Sequence, residues 1–279
     1  METSLEKLYF KGKDGTKLYY KKDIPKEPKA IIVVVHGFAE HLGRYEYVKD
    51  KLYESGFAVY RYDLRGHGRT EGEKGHIDFF NQFIEDTDQL VNLARNDLPE
   101  LPIYMLGHSM GGLITFSYGL KYKDKLNGQI LSGAAIRKVP QVKGIKGGLI
   151  QILNFFAPKK RVKNQLSEDI CTDKKVVEDY DKDKLVLKDA TLNFYVQFLL
   201  KGTKFVENNI QYYNYPCLII HGEEDKIISK DGSIYMYENI LSKDKEIKIY
   251  EGLYHEILNE VEKDIIIGDI INWIEKRGA

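Results

Sequence analysis

The sequence predicts an α/β fold, with a mostly parallel central sheet, helices on both faces and one helical insertion. Three observations carry this. Short β-rich apolar runs alternate with segments of helical period, the rhythm of repeated βαβ units. AIIVVVHG (30–37) is an almost unbroken β-branched run, the pattern of a strand covered on both faces. The alternation lapses once, from about residue 137 to 211, and then resumes. The expected layout is a core over 1–136, a helical cap over 137–211 and a returning core over 212–279.

In chain order, SLEKLYF and TKLYYKK flank the turn signal KGKDG and are expected to pair as an antiparallel hairpin. AIIVVVHG and FAVYRYDLRGHG follow as strands, the second running into a glycine-rich loop. From Asp78 the period changes: Phe79, Phe83, Leu90 and Ala94 share a helical face, with Asp78 placed as its N-cap. LPIYMLGHS is the next strand, MGGLITFSYGLKY a helix and NGQILSGAA a further strand. After the lapse come YPCLIIHGEED and EIKIYEGLYH, both strand-like, and a closing helix containing Leu258, Val261, Ile265 and Trp273. Inside the lapse, GIKGGLIQILNFFAPKKRVK and TLNFYVQFLLKG are apolar and SEDICTDKKVVEDYDKDK is charged, its run from about Asp173 to Lys184 expected on a solvated surface.

Composition narrows the function. Lys+Arg and Asp+Glu both number 42, so no net field draws in nucleic acid. Two cysteines, Cys171 and Cys217, lie far apart and form neither a metal pattern nor a disulfide scaffold, which fits a reducing compartment. The first residues, METSLEKLYFKGKDG, carry charges where a signal peptide needs an apolar stretch. No apolar run is long enough to span a bilayer. A cytoplasmic protein is expected, with membrane contact only at its surface.

The strongest motif is Gly107-His108-Ser109-Met110-Gly111, a GxSxG between the strand LPIYML and the helix MGGLITF. That context is what a nucleophile elbow requires: a serine on a tight strand-to-helix turn, with small residues two before and two after it. A serine hydroxyl needs a base within reach. Of seven histidines, His36 and His221 each end a strand and suit turn structure, and His67 and His76 lie in a long loop. His108 sits inside the elbow and is expected to point away from the serine proton. His255 follows the last strand, in the Ser…Asp/Glu…His order of this fold, and is the expected general base. The orienting acid should follow a strand between the two, and CLIIHGEED offers Asp225, with Glu224 as the alternative. Two backbone N–H groups must face the developing oxyanion, and Met110 and Phe38 are the expected donors.

With these residues placed, the chain resembles the monoacylglycerol lipases and lysophospholipases of the serine-hydrolase family that also includes serine aminopeptidases. The matching stretches are HGFAEHLGRY (36–45), YDLRGHGRTEGEKGH (62–76), LPIYMLGHSMGG (101–112), LIIHGEEDKIISKDGS (218–233) and KIYEGLYHEILNE (248–260). The resemblance implies the α/β-hydrolase fold, a triad of Ser109, Asp225 and His255, and oxyanion donors at Phe38 and Met110. It also implies an ester substrate with an apolar acyl group that enters beneath a lid. The residue at position 38 is often small in this family, so the bulky Phe38 departs from the pattern and is expected to reshape the pocket mouth.

In the insertion, Leu149, Ile152, Leu153 and Phe156 fall on one helical face, widened by Ile150 and Phe155. A helix apolar over so wide an arc is either buried or offered to lipid. With Phe194 and Phe198, the four are expected to contact substrate. The neighbouring Lys159, Lys160, Arg161 and Lys163 are placed to touch anionic head groups at a membrane surface. The expected activity is hydrolysis of monoacylglycerol, or of a lysophospholipid, through an acyl-enzyme, with no metal or organic cofactor and no nucleic-acid partner. The alternatives are a small-ester carboxylesterase or thioesterase and, from another class, a catalytically inactive binding protein on the same fold. An aminopeptidase would need acidic lid residues for the amine, for which Glu168, Asp169 and Asp173 are the candidates.

Overall fold

In the computed structural model, which describes residues 8–137, 145–164 and 166–278, the apolar runs of the core become strands. β1 (Tyr9–Lys11) and β2 (Lys17–Asp23) form the antiparallel hairpin. β3 (Ala30–Val35) leads through α1 (Glu46–Glu54) to β4 (Phe57–Tyr62), and α2 (Asn81–Asp97) leads to β5 (Ile103–His108). α3 (Met110–Lys121) and β6 (Gly128–Ser132) complete the first part of the core. The insertion contributes α4 (Ile145–Phe156), β7 (Arg161–Lys163), α5 (Lys174–Lys182), β8 (Asp189–Thr191), α6 (Leu192–Tyr195), a π-helical segment (Val196–Gly202) and α7 (Thr203–Asn209). The core resumes with β9 (Cys217–Gly222), α8 (Asp231–Asn239), β10 (Lys245–Tyr250) and α9 (Lys263–Glu275).

Among the described residues, eight strands form the main sheet in the order β1-β2-β4-β3-β5-β6-β9-β10. From β4 to β10 neighbouring strands are parallel, and β2 joins β4 antiparallel. The two-residue period of β3 separates two cores. Ile31, Val33 and Val35 face Phe83, Leu90 and Phe116 from α2 and α3. Ala30, Ile32 and Val34 face Val48 and Leu52 of α1 and Ile266, Ile270 and Trp273 of α9. Sequence order reverses beside β3, because β4 lies on one side of it and β5 on the other. Such a switch point opens a crevice at the carboxyl ends of the strands, where ligands bind in open α/β sheets.

Three expectations need correction. α2 starts at Asn81, and Asp78 is not its cap; instead the Gln82 Oε1 accepts from the Asp78 and Phe79 amides at 3.2 and 3.0 Å. Phe79 therefore precedes the helix and is exposed, while Phe83, Leu90 and Ala94 are buried. α9 starts at Lys263, so Leu258 and Val261 precede it, and Ile265 faces solvent. The insertion also holds an antiparallel pair, β7 with β8, that was not expected.

The insertion is tied to the loops at the carboxyl edge. The Leu187 N–H donates to the Ala39 carbonyl at 2.8 Å, the Thr191 N–H to that of Gly75 at 2.8 Å, and the Glu256 N–H to that of Ile170 at 2.7 Å. These bonds fasten it to the loops that follow β3 and β4 and to the segment after β10.

Candidate active site

Ser109 stands between β5 and α3 with φ of 54°, in the left-handed region that non-glycine residues rarely occupy. The turn is tight enough to dictate its neighbours. A Cβ on Gly107 would lie 2.3 Å from Thr115 Oγ1, and one on Gly111 only 2.1 Å from the Val35 carbonyl oxygen. The Ser109 amide donates to the Ser132 carbonyl at 2.9 Å, and its own carbonyl accepts from Leu113 and Ala135, each at 3.1 Å. These bonds hold the strained serine between two strands and a helix.

His255 follows β10, and its Nδ1 lies 2.6 Å from Asp225 Oδ2. The Nδ1–H therefore donates to the carboxylate, which leaves Nε2 free to act as a base. Asp225 Oδ1 accepts from the Ile227 and Ile228 amides at 2.8 and 2.9 Å. Burial pushes the Asp225 carboxyl up, but His255 and His221 hold it well below the usual carboxylate range. Burial opposes charge on His255 as well, yet the Asp225 carboxylate prevails and raises it above its ordinary value. His221, expected only to shape a turn, places Nε2 3.0 Å from Asp225 Oδ2 and 2.9 Å from the Ile228 carbonyl. Sequence reasoning missed this support; the only signal was its position four residues before Asp225. Glu224, the alternative acid, is absent from these contacts.

The loop after β3 supplies the other wall. His36 Nε2 accepts from the Leu64 amide at 2.9 Å, so its Nδ1–H donates to the Gly37 carbonyl at 2.8 Å. His67 Nε2 accepts from the Ala39 amide at 3.2 Å. Burial lowers both imidazoles to about 3, so both stay neutral. Among the described residues the Phe38 and Met110 amides have no hydrogen-bond partner, as oxyanion donors require.

Ser109, His255, Phe38, His108, Glu40, Glu256 and Tyr180 are among the residues around a small cavity of about 20 Å³. His108 does not point away as expected. Its ring centroid is 4.7 Å from that of His255, and burial keeps it neutral while its Nδ1 faces Ser132 Oγ at 3.3 Å. Phe194 and Phe198 are buried, with ring centroids 5.2 and 6.2 Å from Phe38. Leu149, Ile152, Leu153 and Phe156 lie elsewhere: together with Phe155 they are 56–81% exposed. α4 turns Gly147, Ile150 and Asn154 inward, with Ile150 on Val196 and Leu200 and Asn154 bonded to Asn193 at 3.0 Å. The expected contact of those four side chains with substrate is therefore corrected; they point to solvent. Of the acidic residues weighed for an amine, Asp173 caps α5 and Asp169 lies 4.0 Å from Lys226.

The sheet order and the serine elbow place the protein among the α/β-hydrolases. Residues 26–262 match the family described as Serine aminopeptidase, S33, and the chain belongs to that family. It is 34% identical over 266 residues to a monoacylglycerol lipase of Mycolicibacterium smegmatis, covering 95% of each chain. It is 31% identical over 239 residues to the phospholipase YtpA of Bacillus subtilis, covering 85% of this chain and 92% of that one. Among solved structures, a soluble variant of monoglyceride lipase from Saccharomyces cerevisiae, in complex with a substrate analog, superposes with a TM-score of 0.87. The two are 26% identical, with 97% of this chain and 94% of that one covered.

Proposed function

We propose that the protein is a serine hydrolase that cleaves carboxylic esters of lipids, with monoacylglycerol or a lysophospholipid as substrate. The observation that carries this is the buried His255–Asp225 pair beside Ser109, under a cap of aromatic side chains. His255 takes the Ser109 proton as the hydroxyl attacks the ester carbonyl, and the Phe38 and Met110 amides hold the oxyanion. Collapse of the tetrahedral intermediate expels the alcohol, which His255 protonates. Water, deprotonated by the same imidazole, then releases the fatty acid and restores Ser109.

The site has two characters, which favours an amphiphilic ester. Glu40, Tyr180 and Glu256 are among the residues around the cavity and suit a polar alcohol. Phe38, Phe194 and Phe198 form an aromatic cluster that suits an acyl chain. The names of the relatives point the same way, to glycerides and phospholipids. An aminopeptidase reading has less support, because Asp169 and Asp173 are engaged away from Ser109.

Among the described residues no helix is long and apolar enough to cross a membrane. The outward face of α4 is the proposed point of contact with a lipid surface, helped by the exposed Lys160 and Lys163. Lys159 and Arg161 are already paired with Glu73 and Asp189. The test of function is fatty-acid release from monoacylglycerols of rising chain length, with lysophosphatidylcholine and p-nitrophenyl esters alongside, for wild type and Ser109→Ala. A long-chain glyceride optimum that vanishes in the variant is the expected result. Release at the wild-type rate by Ser109→Ala removes the proposal.

A further inference from the structure

We propose that Glu40 is the positioning residue of the oxyanion hole: its carboxyl fixes the Gly37 amide and so aims the Phe38 N–H. The proposal rests on the serine-hydrolase reading but not on the choice of lipid. It follows from the loop's backbone groups taken one at a time. The peptide plane that carries the Phe38 N–H also carries the Gly37 carbonyl, which His36 Nδ1 holds at 2.8 Å. The plane before it carries the Gly37 N–H, which donates to Glu40 Oε1 at 2.5 Å. Beyond it, the Ala39 amide is held by His67 and the Ala39 carbonyl by Leu187. Gly37, the most permissive residue of the loop, is thus pinned on both sides, and the Phe38 N–H is left to point at the reacting oxygen.

The position supports this role. A Cβ on Gly37 would meet Glu40 Oε1 at 2.8 Å and Ser109 Cβ at 3.1 Å, so carboxyl and nucleophile flank the same residue. Glu40 is buried, and Tyr45 OH donates to the same Oε1 at 2.8 Å. Oε2 has no hydrogen bond and lies 3.5 Å from Arg44 Nε. Arg44 is itself paired with Glu256, next to His255, and lies over the Tyr180 ring at 4.9 Å. The ionisable groups around Glu40 are therefore Arg44 and Tyr45 from its own segment, His36 directly after β3, Glu256 and His255 from the segment after β10, and Tyr180 from α5. Burial and Glu256 raise the Glu40 carboxyl, and Arg44 opposes them. Both donors use Oε1, so a proton on Oε2 leaves the clamp on Gly37 intact.

Two variants separate the clamp from the charge. Glu40→Asp keeps the carboxylate beside Arg44 but is a methylene too short to reach Gly37. Glu40→Gln keeps the reach and an acceptor oxygen and loses the charge. The readouts are kcat and KM on a short p-nitrophenyl ester, the inhibition constant of an alkyl trifluoromethyl ketone (which adds to the serine as an oxyanion), and the melting temperature. The expected result is a kcat lower by about ten- to a hundredfold in Glu40→Asp, with KM little changed and the ketone weakened in proportion. Glu40→Gln should recover most of that loss. Wild-type kcat in Glu40→Asp, a loss in Glu40→Gln as large as in Glu40→Asp, or unaltered ketone inhibition overturns the proposal. A wild type inactive on every ester removes the hydrolase reading itself, and this one with it.

Discussion

The His255–Asp225 pair shows how much chemistry rests on a few atoms. The carboxylate fixes the tautomer, raises the imidazole above its ordinary value and is itself anchored by the Ile227 and Ile228 amides and by His221. In the proposed mechanism His255 must be neutral to accept the Ser109 proton, so kcat/KM should rise with pH through that raised value. Asp225→Asn should cut kcat by about 10⁴-fold, because the amide can hold the wrong tautomer. It should also move the acid limb of the profile to lower pH, since the group that raised His255 is gone. A pH–rate profile with an unmoved acid limb would contradict this. The gathering of Ser109, Phe38 and His255 around one cavity, with Asp225 bonded to His255, was legible because each follows a recognisable strand, and Met110 comes directly after Ser109. His221 was not, because its partner lies one turn of loop further on and only the folded backbone brings them together.

Elements differ in how firmly the sequence determines them. The elbow is over-determined: a Gly111 Cβ would fall 2.1 Å from the Val35 carbonyl and 2.4 Å from that of His36, both backbone atoms that cannot swing aside. Gly111→Ala should therefore destabilise the fold by about 3 kcal/mol or more, read as a lower urea midpoint. An unchanged midpoint would mean that β3 can move away from α3. α4 is the opposite case. Its period established that one face is apolar, but period alone cannot say whether that face turns to the core or to solvent. The deciding contacts are nonlocal, Ile150 on Val196 and Leu200 and Asn154 on Asn193, so the inward side is the one with glycine and asparagine. Changing Leu149, Ile152, Leu153 and Phe156 to Gln should leave the melting temperature within a few degrees, since the side chains are already hydrated. Co-sedimentation with anionic vesicles should fall sharply in the same variant; equal sedimentation would show that α4 does not contact lipid. The π-helical turn at Val196–Gly202 left no trace in the sequence, because the pattern of apolar residues there also fits an α-helix.

Across the whole molecule, the parallel sheet was legible because β3, β5, β6 and β9 are buried along their length and must be written in apolar residues. Strand order and the cap's attachments were not, since both depend on pairings between distant segments. One global consequence follows from His36 and His67, which sit between β3, the loop after β4 and the cap attachment at Ala39. Both accept a backbone N–H at Nε2, and protonation of either would put a donor against a donor. Each is held at about 3 in the folded protein, against an ordinary value of 6.5. A histidine with a lowered folded-state value gives stability that is fully present above 6.5 and is lost as pH falls toward 3. At pH 5 the unfolded chain has taken up nearly two protons that the folded chain refuses, a loss on the order of 4 kcal/mol relative to pH 7.5. That figure depends on the unfolded values alone, because both folded values lie well below pH 5. His108 acts in the same sense, whereas His255, raised by the Asp225 carboxylate, and the buried carboxyls of Glu40 and Asp86, raised to about 7 and about 6, add stability as pH falls. The net change between pH 7.5 and 5 is the balance of these groups, so the share of His36 is read by comparison: in urea denaturation, acidification should cost His36→Asn about 2 kcal/mol less than it costs the wild type. An equal pH dependence in the wild type and His36→Asn would mean that the loop accommodates a charged His36, and the account of how that loop is held would have to be abandoned.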